Sequence, residues 1–325
     1  MFCVLLSLFT DTVTTFGFGE STRVTQHMAT GSTNTLWNSD YLAANFDSSL
    51  YGSHPFFIQV SDNGKAHGVL FMNSNGMDAS LQGDGTDSVE GQSLGVQSTG
   101  GVLDFYIFAG PTPQEVVAQY LEVVGMPAMM PYWSLGFHNC RYGYPSVAYV
   151  EEVVANYSAA NIPLETQWMD IDYMDNYLDF TLDPVLFSQA DMDVFLTNLH
   201  ANNQKFVPII DPGIYMRHDN YSTLTRGLEQ NVFVNDLTGD TPYLGQVWPG
   251  PTYYPDWFAV NTTSWWTEEL IEFHNMAEYD GLWIDMNEIS NFCNVDGRGQ
   301  GIIISSIVSS IIYCFVINHF ACFVS

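Results

Sequence analysis

Gly281-Leu282-Trp283-Ile284-Asp285-Met286-Asn287-Glu288 begins apolar and ends in two carboxylates. Read as a strand, its side chains alternate between faces, with Leu282, Ile284 and Met286 on one and Trp283, Asp285 and Asn287 on the other. Asp285 then sits near the carboxyl end of the strand, where catalytic groups collect in parallel α/β folds. A plainer reading stays open at this point, in which the strand runs into a loop whose Asp285 and Glu288 cap a helix or face water.

The chain upstream decides what kind of sheet this strand joins. Trp266, Leu270, Phe273 and Ala277 recur at helical spacing just before it, and Lys205-Phe206-Val207-Pro208-Ile209-Ile210-Asp211 reads as a further strand. Between them, Asp211 to Asn261 is rich in Gly, Pro and aromatics, and a connection that long is usually functional or an insertion. Further back, Met192, Phe195, Leu196 and Leu199 mark a helix with Ser188 as its amino-terminal cap. Glu165 to Tyr173 reads as a strand on which Trp168, Asp170 and Asp172 share one face, opposite Met169 and Ile171. Val147, Val150, Val153, Val154 and Tyr157 line another helix, preceded by a strand from Ser134 to Cys140.

Strands alternating with helices predict a parallel sheet, either open and doubly wound or closed as a (β/α)8 barrel. No glycine-rich phosphate loop opens any of these helices, which speaks against a nucleotide-binding sheet. Three successive strands end in acids: Asp170 with Asp172, then Asp211, then Asp285. Carboxylates gathered at one barrel mouth suit glycosidic chemistry.

From about Thr15 to Met130 the texture is all-β. Short apolar runs at Pro55–Val60, His67–Met72 and Val102–Phe108 are separated by turn residues, as in a sandwich. Pro111 to Leu121 reads as a short helix, and Pro127 and Pro131 mark the domain boundary.

Composition narrows the partners. Seven Lys and Arg against 36 Asp and Glu give a net charge of −29, which argues against nucleic acid and anionic membrane surfaces. The acids are scattered, so they read as a solvated surface for an acidic, salty or extracellular milieu. The 15% aromatic content suits sugar stacking and a packed core equally. Cys3, Cys140, Cys293, Cys314 and Cys322 are odd in number and lack metal-type spacing, so neither a zinc site nor a disulfide framework is expected. Asn156-Tyr-Ser, Asn220-Tyr-Ser and Asn261-Thr-Thr fit the N-glycosylation sequon. Met1 to Thr10 is apolar but has neither a basic region nor a clear cleavage site, so a signal peptide is poorly supported and a truncated gene start explains it as well.

Trp283-Ile284-Asp285-Met286-Asn287-Glu288 resembles the nucleophile signature of glycoside hydrolase family 31, the α-glucosidases. Phe16-Gly17-Phe18-Gly19-Glu20, Tyr51-Gly52-Ser53-His54-Pro55, Asn73 to Asp78 and Gly100 to Phe105 look like segments of the same family. The resemblance runs from about Phe16 to Asn294 and implies a fold of the α/β plus all-β class. Its parts would be a poorly defined start at 1–14, a galactose mutarotase-like β-sandwich at 15–130, and the first four βα units of a (β/α)8 TIM barrel at 131–298. It also implies retaining hydrolysis of terminal α-linked glucose from maltose-like oligosaccharides or starch fragments. Asp285 would be the nucleophile and Glu288 would support the strand end. Asp78, Tyr142, Asp170, Asp172, Ile214, Trp248, Trp283 and Met286 would line the sugar pocket. No metal and no cofactor are expected. An α-xylosidase-type relative and a non-catalytic carbohydrate-binding or vestigial protein remain the alternatives.

The pattern then breaks. Ile289 stands where relatives usually have Pro, and Gly301 to Ser325 resembles nothing in the family. The general acid/base Asp of relatives, in a Gly-Asp-Asn-type segment, has no match here, nor do the Arg and His of their sugar pocket. Half a barrel would leave an unpaired strand edge, so an unstable or inactive product is expected. The apolar tail reads as intron read-through, as a membrane helix or as an aggregation-prone β segment. The expected location is the secretory pathway, ending outside the cell or in a lysosome or vacuole, with membrane attachment only if the 301–325 tail is genuine.

Overall fold

The computed structural model describes residues 2–8, 13–38, 49, 52–83, 92–216, 220–287 and 289–292. Glu288 and the tail from Gly301, both singled out above, lie outside these residues. The chain forms two compact units that divide between Ala128 and Met129.

The first unit carries β1 (Phe2–Leu8), β2 (Val13–Gly17), β3 (Thr33–Leu36), β4 (Phe56–Ser61), β5 (Ala66–Phe71), β6 (Met77–Gln82), β7 (Ser93–Ser98) and β8 (Phe105–Phe108). They pair antiparallel in two sheets, ordered β1-β7-β6-β3 and β2-β4-β5-β8. Period-two burial is plain on β6, where Met77, Ala79 and Leu81 are buried while Asp78, Ser80 and Gln82 are not. These three join Phe57, Phe71, Leu94 and Val96 in one apolar cluster drawn from both sheets, as a sandwich requires. Helix α1 (Pro113–Val124) starts on a capping box between Thr112 and Glu115. Its Val116 packs on Phe56, Ala66, Leu70 and Phe108. Gly68 permits that approach, because a Cβ there would stand 2.5 Å from a Val116 methyl. The strand expected from Val102 begins only at Phe105, since the Asn73 amide binds the carbonyls of Gly100 and Val102 and holds them in a loop.

The second unit runs β9 (His138–Asn139), α2 (Val147–Ala159), β10 (Thr166–Met169), α3 (Gln189–Ala201), β11 (Lys205–Ile210), β12 (Ile214–Tyr215), α4 (Ser222–Glu229), β13 (Gly245–Val247), β14 (Gly250–Tyr253), α5 (Thr262–Met276) and β15 (Trp283–Ile284). β9, β10, β11 and β15 are parallel neighbours in chain order. That order never reverses, which is the behaviour of a barrel and lacks the switch point of a doubly wound sheet. The helix faces follow the sequence pattern on α2 and α3: Val147 and Val150 are buried, as are Met192, Phe195, Leu196 and Leu199, and the Ser188 hydroxyl caps α3.

Helix α5 buries more than its expected face: Phe273 and Ala277 are buried as the spacing predicts, and Trp265 is added to them. Trp265 and Phe273 are fully buried, and Trp266 and Leu270 are only partly so. The cause is the long connection after β11, which forms an antiparallel sheet β12-β14-β13 with α4 beside it and places Phe233 edge-on to Trp265 at 5.7 Å. Arg226 on α4 grips Glu269 on α5 through two bonds of 2.6 Å, with Glu269 only 1% exposed. Breaking such a pair from one side typically costs about 3–5 kcal/mol, so the insertion is fastened to the barrel helix.

Three strands are shorter than expected. The first is confined to His138–Asn139 after a 3-10 turn at Tyr132–Leu135. The second ends at Met169, before a 3-10 turn at Ile171–Tyr173. The third spans only Trp283–Ile284, so the alternation does not reach Met286, whose φ is +60°. In the last two, an aspartate ends the strand by accepting the next backbone N–H: Asp170 from Ile171 at 2.8 Å and Asp285 from Met286 at 2.7 Å.

The loop after β10 is locked by a buried acid. Asp179, 1% exposed, accepts the Asp211 N–H at 2.7 Å, and the Tyr221 hydroxyl donates to the Asp179 carbonyl. Burial first, and then the Asp211 charge, push the Asp179 carboxyl well above the carboxylate range; the phenols of Tyr173 and Tyr221 also face it. A raised folded-state value contributes stability that is fully present below about pH 4 and is lost as pH rises through it. Asp280 works in the opposite sense: against its own burial, Lys205, the Phe206 N–H and His200 hold its carboxyl low, so its contribution is lost in acid. Asp179→Asn isolates the first effect, because its amide oxygen still accepts the Asp211 N–H. Urea midpoints measured across pH should show the variant gaining on the parent chain as pH rises above about 4. A difference that does not change with pH would contradict this assignment.

Candidate active site

Register sets the site. Trp168 pairs with Val207, and Ile209 with Trp283, so Asp170, Asp211 and Asp285 each follow directly on the last residue of a parallel strand. They do not behave alike. Asp211 is 3% exposed and turned into the core beside Asp179, which removes it from the expected cluster of mouth acids. Asp170 and Asp285 are half-buried and stand at the same end of two strands that have β11 between them, within reach of each other's charge. Burial raises the Asp170 carboxyl above its ordinary value; the Ile171 N–H opposes this, and the charges of Asp172 and Asp285 add to it. Asp172 accepts the Gly143 N–H at 2.8 Å and so ties the loop after β9 to the end of β10.

Aromatic rings surround the acids. Trp168 and Trp283 lie with centroids 5.8 Å apart. The Trp168 indole N–H donates to His138 Nδ1 at 2.9 Å, which leaves the neutral imidazole proton on Nε2. Tyr142 is 59% exposed, and its phenol is held above its ordinary value by Tyr177 first, with Asp172 and Asp170 adding. Burial and the Asp170 charge push the neighbouring Cys140 thiol up to about 11, so it stays protonated at neutral pH.

Trp248 stands edge-on to Phe292 at 4.8 Å, and both are about half exposed. Phe292 was not anticipated. It lies just past the signature, and its one sequence signal is a lone aromatic in a polar turn. Its N–H donates to the Gln246 carbonyl, while the Asn291 carboxamide oxygen accepts the Gln246 N–H, so the segment after Asp285 is pinned to the insertion. Of the remaining expected residues, Ile214 is fully buried in the barrel core, and Met286 is half-buried beside Asp285. Asp78 belongs to the first unit, where it accepts the Thr35 hydroxyl at 2.6 Å. A groove of about 660 Å³ between α2 and α3, lined by Glu151, Ile162, Phe195 and Asn198 among others, contains none of these residues. Among the described residues, no three His, Cys, Asp or Glu side chains are grouped to hold a metal ion, and no helix is long and apolar enough to cross a membrane.

Comparison with known proteins gives the same architecture. The family model of the glycosyl hydrolases family 31 TIM-barrel domain matches residues 127–303, and that of the glycosyl hydrolase 31 N-terminal galactose mutarotase-like domain matches residues 6–78. A probable alpha-glucosidase of Oryza sativa subsp. japonica is 51% identical over 282 residues, covering 85% of this chain and 31% of its own. An alpha-glucosidase of Hordeum vulgare is 48% identical over 281 residues, covering 86% of this chain and 31% of its own. A crystal structure of a DNJ-bound glucosidase II alpha subunit superposes with a TM-score of 0.79 at 26% identity, covering 86% of this chain and 32% of that one. The chain therefore spans about a third of the length of the relatives it matches.

The Asp285 charge adds a small part to the rise of the Asp170 carboxyl, most of which comes from burial. Asp285→Asn removes that like charge and should lower the Asp170 carboxyl slightly, as followed by carboxyl 13C NMR. An unmoved Asp170 would mean that the two acids do not share a site.

Proposed function

The chain belongs to glycosyl hydrolase family 31, and from that premise we propose that it carries the nucleophile side of a retaining α-glucosidase site. The supporting observation is Trp283-Ile284-Asp285-Met286-Asn287 at the mouth end of the fourth parallel strand, with Asp170 at the same end of the second and within reach of the Asp285 charge. In this reading Asp285 attacks the anomeric carbon of a terminal α-linked glucose, the bond to the leaving oxygen breaks, and water later releases the sugar. Asp170 accepts hydrogen bonds from sugar hydroxyls. Tyr142, Trp168, Trp248, Trp283 and Phe292 offer ring faces and edges, while Asp172 holds the rim. Several carboxylates with no adjacent cation among the described residues also favour the positive charge that develops on the sugar ring in the transition state.

Retaining hydrolysis needs a second carboxyl as proton donor, and the 325 residues contain no counterpart of the family's Gly-Asp-Asn segment. By itself, then, the chain binds an α-glucoside without releasing an ordinary leaving group. We assign residues 15–130 to the sandwich and 131–298 to four βα units. We place the protein in the secretory pathway, towards an extracellular or lysosomal or vacuolar destination. Exposure of Asn156, Asn220 and Asn261 is compatible with glycosylation along that route.

An aryl α-glucoside tests this reading. The purified chain should retain it, as followed by tryptophan fluorescence, without releasing the aryl group. Asp170→Asn should weaken retention by about 10- to 100-fold, as expected for loss of a charged hydrogen bond. Stronger retention of an aryl α-xyloside would move the assignment to an α-xylosidase. Failure to retain either would refute the sugar site, and release of the alcohol from an alkyl α-glucoside, abolished in Asp285→Asn, would show that a proton donor is present after all.

A further inference from the structure

A line of three rings crosses one face of the parallel sheet towards Asp285. His138 on β9 pairs with Thr166, Trp168 on β10 pairs with Val207, and Ile209 on β11 pairs with Trp283. Side chains two residues apart share a face of a strand, so His138, Trp168 and Trp283 lie on one face. Each stands one step nearer the strand ends that carry the acids. The contacts follow the same diagonal. The Trp168 indole N–H donates to His138 Nδ1 at 2.9 Å, with ring centroids 5.8 Å apart, and Trp168 lies against Trp283 at the same separation. Asn139, on the other face of β9, exchanges hydrogen bonds with Tyr144, Gln167 and Tyr157 instead.

Packing alone does not account for a histidine at position 138. Its imidazole lies over Trp133, with centroids 6.1 Å apart and planes 23° from parallel, a contact that a phenyl ring would also make. With Nδ1 accepting from Trp168, the ring proton is on Nε2, and that buried atom has no hydrogen-bond partner among the described residues. A buried N–H left unpaired is unfavourable. What histidine supplies here is a rigid acceptor at Nδ1, with its ring plane braced by Trp133, and the group that this acceptor fixes is the polar edge of Trp168.

We propose that His138 is a positioning residue for α-glucoside binding: its Nδ1 fixes the Trp168 indole, and Trp168 in turn sets the orientation of Trp283, two residues before Asp285. The proposal rests on the sugar-site reading above, because it takes Trp283 as a wall of that pocket. His138→Phe keeps a ring against Trp133 and removes the acceptor. His138→Asn gives up the ring and places a carboxamide oxygen where Nδ1 stands, so it can still accept the indole N–H.

The test uses the whole 325-residue chain with 15N-labelled tryptophan, the Trp168 indole signal being identified among the eight by its loss in Trp168→Phe. In His138→Phe that indole N–H should move upfield and exchange faster with solvent. Retention of the aryl α-glucoside, followed by equilibrium dialysis, should weaken by about 2- to 10-fold, as expected for one neutral hydrogen bond. In His138→Asn both the indole signal and the affinity should return towards those of the parent chain. An unmoved Trp168 indole signal in His138→Phe overturns the proposal. So does unchanged affinity in His138→Phe while the parent chain binds, or an equal loss of affinity in both variants, which would assign His138 to ring packing alone. Failure of the parent chain to bind is a different result, since it removes the sugar-site reading and with it this role.

Discussion

Parallel hydrogen bonding of β10 to β11, and of β11 to β15, fixes the level at which successive strands leave the sheet. The rest of the candidate site follows from that level. Because each strand stops at the residue before an aspartate, the acids emerge at one edge, and the local bonds of Asp170 and Asp285 to the next backbone N–H end the strands there. A slip of one residue would turn Asp170 and Asp285 towards the helices and leave carboxylates buried without water. The same geometry separates the acids by role. Asp211 is drawn down to meet the loop carrying Asp179, while Asp170 and Asp285 stay at the surface of the mouth.

Electrostatics give the site a consistent character. The chain has 36 acids and only seven lysines and arginines. Two of those cations are committed to structural acids, Arg226 to Glu269 and Glu272, and Lys205 to Asp280. The mouth acids consequently repel one another, and Asp170 is destabilised as an anion by its burial and by its neighbours. Such an arrangement disfavours anionic ligands and favours groups that donate hydrogen bonds or become positive. The raised carboxyl of buried Asp179 makes that part of the fold firmer in acid than at neutral pH.

Much of this was legible in the sequence, for physical reasons. The period of apolar residues on α2 and α3 follows directly from the core they cover, and Ser188 is an N-cap wherever its hydroxyl can reach the first turn. Strand–helix alternation predicted a parallel sheet and left open whether it closes, while the resemblance to known glycosidases chose the barrel, and the parallel half-barrel agrees with both. Errors arose where tertiary contacts override local pattern. The burial of Trp265 on α5, beyond the face that the spacing gives, was missed because the insertion covers it, and no local periodicity records an insertion. Strand ends were placed too late because aspartate bonds to its own backbone end a strand without any Gly or Pro to announce it. Phe292 was missed because its partner Trp248 lies on the insertion, far away in sequence.

The central claim is that Asp285 is a nucleophile facing an α-glucoside. It can be tested without a proton donor, because fluoride leaves an anomeric carbon unaided. The chain would be incubated with 5-fluoro-α-glucosyl fluoride and its peptides examined by mass spectrometry. Attack by the Asp285 carboxylate would form a bond to the anomeric carbon and expel fluoride. The account therefore predicts a fluoroglucosyl ester on the peptide containing Asp285 and none in Asp285→Asn. A chain that stays unlabelled while it binds the sugar, or a label on another carboxylate, would contradict it.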